Sequence, residues 1–267
     1  MVRQPAVAGA FYPQDSGELI AQLERIVPLQ RGSRNCLGLV SPHAGYVYSG
    51  AIAGELFAQV RLPRQVVILG PNHQGLGSDV ALFDEGSWQT PLGQVPIAAE
   101  LAAHLLRSCP QLQVDPAAHR FEHSLEVQVP LLQYLQPALQ IVPICLGSGT
   151  LDDWLALGTA LGSALNAWDE EVLIVASSDM SHFLDAAETQ RRDRLAIDAV
   201  LALDPVLLWQ TVRENRISMC GVIPALVMLQ AALQRGASAC ELVCYGHSGE
   251  VNGDMSRVVG YAALAVS

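Results

Sequence analysis

The sequence predicts an α/β protein with one mostly buried mixed sheet that carries helices on both faces. Three short apolar runs, at residues 36–40, 65–69 and 171–176, have the length and composition of buried strands. Segments with helical spacing of apolar residues alternate with them, as in sheets that are covered on both sides. No linker, repeat or low-complexity stretch interrupts the chain, so we predict a single domain over residues 1–267.

The remaining elements follow from apolar periodicity and from residues that begin or end helices. Predicted helices cover residues 16–26, 51–60, 97–106, 122–135, 150–168, 186–203, 205–212 and 222–233. Further strands are predicted at residues 79–83, 139–146, 240–246 and 257–266. Between them, residues 5–13 are expected to form an irregular arm, and residues 84–93 a region rich in turns.

Helix ends are predicted from capping residues. Ser16 and Ser49 are expected to cap the first two helices, because serine hydroxyls accept hydrogen bonds from free backbone N–H groups. Thr150 and Asp153 have the spacing of a capping box. Pro130 lies inside a helical pattern and is expected to break or kink that helix.

Composition limits the function. The formal charge of −11 argues against nucleic-acid binding, which needs clustered lysines and arginines. No uninterrupted apolar stretch is long enough to cross a membrane, and the first residues lack the apolar region of a signal peptide, so we expect a cytoplasmic protein. The six cysteines are scattered without a CxxC pair, so we expect no disulfides.

Histidines follow the three strands that predict the sheet. His43 and His73 lie in the turns after the first two, and His182 lies shortly after the third. In open α/β sheets ligands bind at the carboxyl ends of strands, and neutral imidazole suits iron, copper or zinc. The alternative is that these are structural or surface histidines, as loop histidines often are.

Two histidine–carboxylate pairs have a spacing of three residues. Asp179 and His182 would share one face of a helical turn, which suits a general base with its orienting acid or an outer partner of a metal ligand. The alternative is a helix cap by Asp179. His123 and Glu126 would point inward on the 122–135 helix or, alternatively, form its solvated face.

Cys220 differs from the other cysteines because it precedes Gly221 and a predicted helix. A helix N-terminus favours a thiolate, which suits a metal ligand or a nucleophile. The alternative is an inert buried cysteine.

Several motifs recur in one order along almost the whole chain. They comprise residues 5–13, Pro42-His43-Ala44-Gly45-Tyr46, Gly70-Pro71-Asn72-His73, Thr90-Pro91-Leu92-Gly93, Glu122-His123-Ser124-Leu125-Glu126, residues 177–182, Cys220-Gly221, Gly253-Asp254 and residues 258–261. In these residues the chain resembles the Memo family, also called AmmeMemoRadiSam system protein B. That family is similar in fold to the class III extradiol dioxygenases, which are non-haem iron enzymes.

The resemblance implies a metal site at His43, His73 and Cys220, with Asp179 and His182 in the same pocket as catalytic candidates. It implies iron(II) or copper as the metal, and zinc less readily. We further expect four residues to line the pocket: His123, Glu126, Tyr46 and Asn72.

Three functions compete at this point. The leading hypothesis is a metal-binding redox protein, with a dioxygenase-like oxidoreductase as its enzymatic form and His182 as the proton acceptor. The second is a non-catalytic module that holds a metal, small molecule or peptide and works with a radical-SAM partner, as the family name suggests. The third is a zinc hydrolase in which Asp179 or Glu126 activates a metal-bound water.

Overall fold

Parallel strands form the centre of the protein. In the computed structural model, which describes residues 1–267, the strands are β1 Val2–Arg3, β2 Gly38–Ser41, β3 Gln65–Pro71, β4 Val80–Leu82, β5 Ser87–Thr90, β6 Gly93–Pro96, β7 Gln113–Val114, β8 Gln140–Leu146, β9 Val172–Ser177, β10 His182–Leu184, β11 Cys240–His247 and β12 Val258–Val266. Nine of them form one mixed sheet in the order β10-β12-β2-β9-β3-β8-β4-β7, with β11 on β12. The adjacent strands β2, β9, β3 and β8 are parallel, whereas β12 and β4 run antiparallel to their inner neighbours.

Helices cover the sheet on both faces, which confirms the predicted fold class. They are α1 Ser16–Ile26, α2 Tyr46–Gln59, α3 Ala99–Ser108, α4 Gln128–Leu135, α5 Leu151–Asn166, α6 Ala186–Leu201, α7 Pro205–Glu214, α8 Val222–Gln234 and α9 Gly249–Asn252, with a 3₁₀ helix at Pro116–His119. Every residue of β2, β3 and β9 is buried, because parallel central strands are covered on both sides. One cluster of 72 buried hydrophobic residues forms a single core. None of the helices is both long enough and apolar enough to cross a lipid bilayer.

Helix ends confirm one capping prediction and correct two. Thr150 and Asp153 form the predicted capping box. The cap of α1 is Asp15, not Ser16, because the Asp15 carboxylate accepts the Glu18 N–H. The second helix begins at Tyr46, so Ser49 lies inside it and its hydroxyl donates to the carbonyl oxygen of Ala44.

The segment of residues 122–135 differs most from its prediction. Helix α4 begins only at Gln128, so Pro130 falls in its first turn, where proline is tolerated and no kink is needed. Residues 122 and 123 are irregular instead, and residues 124–127 form turns. His123 and Glu126 therefore do not share a helix face.

The turn-rich region of residues 84–93 contains a hairpin that the sequence did not predict. Strands β5 and β6 pair antiparallel, and β1 pairs parallel to β5 to form a small second sheet. This pairing holds the first residues of the chain, Val2 and Arg3, against Ser87 and Trp88.

His119 lies in the core without a full set of hydrogen bonds. Its ring packs edge-on against Phe83 and Trp88, and Nε2 lies 3.1 Å from the carbonyl oxygen of Ala81, whereas Nδ1 has no partner. Burial lowers the pKa of His119 from 6.5 to about 4. The folded protein therefore favours the neutral form of His119.

Acidification is expected to destabilise the protein through His119. Because its pKa is lower in the folded than in the unfolded chain, stability is lost as the pH falls from 6.5 to about 4. A shift of this size corresponds to about 3 kcal/mol. His119→Gln keeps a donor for Ala81 but cannot titrate, so the loss of urea-unfolding free energy between pH 7 and pH 4 should be smaller in the variant by that amount. Equal losses in the two proteins would refute the assignment.

Candidate metal centre

Three histidines meet at the carboxyl edge of the central strands. His43 follows β2, His73 follows β3, and His123 comes from the segment before α4. Their potential ligand nitrogens all lie within 4.8 Å of one another. The rings of His73 and His123 are stacked at a centroid distance of 4.7 Å, and His43 stands edge-on to both at 5.4 Å.

His43 is the buried member of the cluster, with 2% of its surface exposed. Its backbone N–H donates to Asp179 Oδ1 at 2.7 Å, and its ring Nδ1 lies 2.9 Å from Ser177 Oγ. Burial, followed by the neighbouring rings of His123 and His73, lowers the pKa of His43 well below 6.5. The ring is therefore neutral at pH 7, as metal binding requires.

His73 is fixed by Glu122, a fully buried carboxylate that the sequence analysis did not select. The two oxygens of Glu122 accept the His73 backbone N–H at 2.7 Å and its ring Nδ1–H at 2.8 Å, and Oε1 also accepts the Ser124 N–H at 2.9 Å. Burial acts to raise the pKa of Glu122, but these hydrogen bonds outweigh it and lower the pKa to about 2. The carboxylate stays ionised and leaves Nε2 of His73 free.

His123 completes the cluster and is half-buried, with 21% of its side chain exposed. Burial lowers the pKa of His123, so its ring also favours the neutral form. Its Nδ1 lies 3.5 Å from Glu122 Oε1. The sequence placed His123 only in the lining of the pocket, whereas the structure places it beside the two histidines that were predicted as ligands.

Cys220 reaches the cluster on one side. Its Sγ lies 3.3 Å from Nε2 of His43 and accepts the backbone N–H of Asp179 at the same distance. Gly221 makes this approach feasible, since a Cβ there would lie 2.3 Å from the carbonyl oxygen of Ser177. Burial, and then the Asp179 carboxylate, raises the pKa of the thiol. The N-terminus of α8 does not outweigh burial, contrary to the expectation of a favoured thiolate.

Asp179 and His182 lie next to the cluster but not on a helical turn. The chain between them is irregular, and His182 begins β10. Burial raises the pKa of Asp179 although the His43 N–H donates to it. His182 Nδ1 lies 2.9 Å from the carbonyl oxygen of Ser218, which can only accept, so Nδ1 carries the proton and Nε2 is the free nitrogen.

Glu126 was expected in the pocket, but its carboxylate binds the amino-terminal arm. Its oxygens accept hydrogen bonds from Arg3 Nη1 at 2.6 Å, from the backbone N–H groups of Ala6 and Val7, and from the hydroxyl of Tyr12 at 2.6 Å. All its partners precede residue 13. The Glu126 carboxylate thus has a structural role, and a place for it in the pocket stays a prediction.

Tyr46 and Asn72 also have structural contacts where pocket positions were expected. The buried hydroxyl of Tyr46 donates to the carbonyl oxygen of Val127 at 2.8 Å. The Asn72 amide closes its own loop, since Nδ2 donates to Leu76 O and Oδ1 accepts the Gly75 N–H. These side chains hold the elements that carry His43, His73 and His123.

Comparisons with known proteins indicate one family over nearly the whole length of the chain. A family model described as Memo-like protein matches residues 3–265. A MEMO1 family protein of Methanopyrus kandleri is 40% identical, over 99% of this chain and 98% of the relative. A MEMO1 family protein of Aquifex aeolicus is 39% identical, over 98% of each chain.

Among solved structures, an uncharacterized protein from Escherichia coli K12 aligns with a TM-score of 0.50 and 14% identity, over 76% of this chain and 86% of that chain. This likeness concerns the fold alone. The family model and the relatives lead to one conclusion: the chain belongs to the family of Memo-like proteins.

Proposed function

We propose that the protein binds a transition-metal ion through His43, His73 and His123 and acts in redox chemistry, with iron(II) or copper as the metal. One observation carries the proposal: three imidazoles present nitrogens within 4.8 Å of one another. The chemistry of this donor set fits the ion, because Nδ1 of His43 and of His73 is taken up by Ser177 and by Glu122, which leaves Nε2 as the ligand atom in both.

Cys220 is a further candidate ligand in this proposal. Its sulfur is already 3.3 Å from the ligand nitrogen of His43. A soft sulfur donor would favour copper(I) over harder ions, whereas three imidazoles alone suit iron, copper and zinc alike. The effect of removing the thiol on metal preference therefore distinguishes a His₃ site from a site with sulfur.

The bound metal would supply one-electron redox chemistry and an open coordination position for a ligand. Around it, His182 can accept a proton at Nε2, since its Nδ1–H is held by the Ser218 carbonyl. Asp179 holds the backbone of His43 in place and, with its raised pKa, retains a proton more readily than an ordinary carboxyl group. These two residues are the proposed acid–base pair.

Zinc hydrolysis is a second candidate, because three histidines also form catalytic zinc sites. The contacts of Glu126 with Arg3 and the amino-terminal arm leave Asp179 as the remaining carboxylate to assist a bound water. Ester or amide cleavage with zinc would favour this function. Metal retention without turnover would favour the binding module that works with a radical-SAM partner.

Metal analysis tests the proposal. Wild type purified without oxygen and supplied in turn with Fe(II), Cu(I) and Zn(II) is expected to bind about one ion, and His43→Ala, His73→Ala and His123→Ala are expected to lose it. His104→Ala is the matched control, because His104 bonds the carbonyl oxygen of Ala164 and lies outside the cluster.

Oxygen uptake with a catechol then separates the redox function from its rivals. Metal-dependent uptake by wild type, absent in His123→Ala, would support an oxidoreductase. Wild type that binds none of the three ions, or His variants that bind metal as wild type does, would contradict the proposed site.

A further inference from the structure

A buried serine lies beside the ring of His43 and contacts two other groups as well. Ser177, the last residue of β9, is fully buried. Its Oγ lies 2.9 Å from His43 Nδ1, 2.8 Å from Gln128 Nε2 and 2.6 Å from the carbonyl oxygen of Ser124. A hydroxyl has one proton to donate and two lone pairs that accept, so these three contacts use its full capacity.

The direction of each hydrogen bond follows from its partner. The Ser124 carbonyl can only accept, so the Ser177 hydroxyl proton is donated there. The Gln128 amide is oriented by three further bonds, since Oε1 accepts the Ser41 hydroxyl at 2.9 Å and Nε2 also donates to Pro42 O at 3.0 Å and to Ser41 O at 3.4 Å. Gln128 is therefore a donor to Ser177. Nothing remains for His43 except to donate its Nδ1–H.

We propose that Ser177 is a positioning residue that selects the Nδ1–H tautomer of His43 and so keeps the lone pair of Nε2 directed at the cluster. For metal binding the inference rests on the proposed function; for the tautomer of the free protein it stands on the hydrogen bonds alone. The ring nitrogen that carries the proton is set by the bond that the other nitrogen makes. Here Nδ1 of His43 bonds the Ser177 hydroxyl, and that hydroxyl already donates its only proton to the Ser124 carbonyl oxygen.

The same network ties the three histidines together. The segment of residues 122–124 fixes His73 through the Glu122 carboxylate, supplies His123, and fixes Ser177 through the Ser124 carbonyl oxygen. Ser177 in turn fixes His43. One short segment thus sets the tautomers of two histidines and the position of the third, which prepares the ligand nitrogens before any ion arrives.

Without the Ser177 hydroxyl, the tautomer of His43 would no longer be fixed. Without an acceptor at Nδ1, the proton of His43 can move to Nε2, where the sulfur of Cys220 at 3.3 Å is an available acceptor. The nitrogen that should bind a metal would then carry a proton. Outer partners of metal-bound histidines typically contribute 10- to 100-fold to affinity, so Ser177→Ala is expected to weaken Zn(II) binding by about that factor.

Nitrogen NMR of histidine-labelled protein without metal gives the decisive readout. In wild type, His43 should have a protonated Nδ1 and a bare Nε2, and in Ser177→Ala a protonated Nε2 or a mixture. Ser177→Thr keeps the hydroxyl and should restore both the tautomer and the affinity. Ser181→Ala is the matched control, because Ser181 is also fully buried but its hydroxyl has no partner.

The outcomes separate the two proposals. Wild type that binds none of Fe(II), Cu(I) and Zn(II) but shows the Nδ1–H tautomer would refute the metal site and leave the role of Ser177 intact. A protonated Nε2 in wild type would overturn the role of Ser177, even if Ser177→Ala failed to fold. Equal tautomers and equal Zn(II) affinities in wild type and Ser177→Ala would overturn it as well.

Discussion

Replacement of Arg3 with alanine is expected to lower the free energy of unfolding by about 3–5 kcal/mol, although residue 3 is almost at the start of the chain. Arg3 Nη1 and Glu126 Oε2 are 2.6 Å apart, and both side chains are almost fully buried. Removal of one partner of a buried ion pair leaves an uncompensated charge in the interior, which costs an amount of this order.

Other contacts of Arg3 add to this effect. The guanidinium lies 4.2 Å from the ring of Trp88, and it donates to the carbonyl oxygens of His119 and Glu122 at 2.7 and 2.8 Å. The arm therefore holds the segment that carries Glu122 and His123. Arg3→Lys keeps the charge but loses the planar fork, so it should be intermediate in stability.

Urea unfolding at pH 7 measures the effect. The matched control is Arg191→Ala, which removes an arginine that is bonded to Glu188 at the surface and should change the free energy of unfolding far less than Arg3→Ala does, because solvent screens an exposed ion pair. A loss of less than about 1 kcal/mol in Arg3→Ala would contradict the prediction. It would show that the hydrogen bonds from Ala6, Val7 and Tyr12 stabilise the buried Glu126 carboxylate without the arginine.

The centre of the fold could be predicted from the sequence because buried parallel strands have a simple signature. Strands β2, β3 and β9 are covered on both faces and are therefore continuous apolar runs rather than alternating ones. They are also neighbours in the sheet, so His43 and His73 had to come out at one edge. The motif that follows each strand then gave the candidate residues.

The contribution of residues 122–127 could not be predicted, because it depends on partners far away in the chain. Leu125, Val129 and Leu132 have the spacing of one helical stripe, which favoured a helix from residue 122. Instead Glu122 binds His73 and Glu126 binds Arg3, over 49 and 123 residues of sequence. A single sequence shows local periodicity but not these long-range partners. The adjacency of Glu122 and His123 is the one local signal that the sequence contains for this role of Glu122.

Replacement of Glu122 with glutamine is expected to weaken metal binding by about 10- to 100-fold, because the amide is a poorer acceptor for the His73 Nδ1–H than the carboxylate. The substitution should also remove the part of the free energy of unfolding that the ionised Glu122 carboxylate contributes and that acid abolishes. The pKa of Glu122 is about 2 in the folded protein against an ordinary value of 4.5, so its stabilisation is complete above pH 4.5 and is lost as the pH falls towards 2. The full difference corresponds to about 3 kcal/mol.

Two measurements separate the effects: Zn(II) affinity at pH 7, and the urea-unfolding free energy between pH 5 and pH 3. Over that acid range wild type should lose more stability than Glu122→Gln. Glu250→Gln is the matched control, since Glu250 also lies beside a histidine, His247, but is well exposed at 59%. If Glu122→Gln bound Zn(II) as tightly as wild type and still lost the acid-sensitive stability, Glu122 would hold the fold of residues 122–124 without preparing His73 for a metal. Loss of both would mean that one carboxylate serves the fold and the metal site together, because the same two oxygens hold the His73 backbone and its ring.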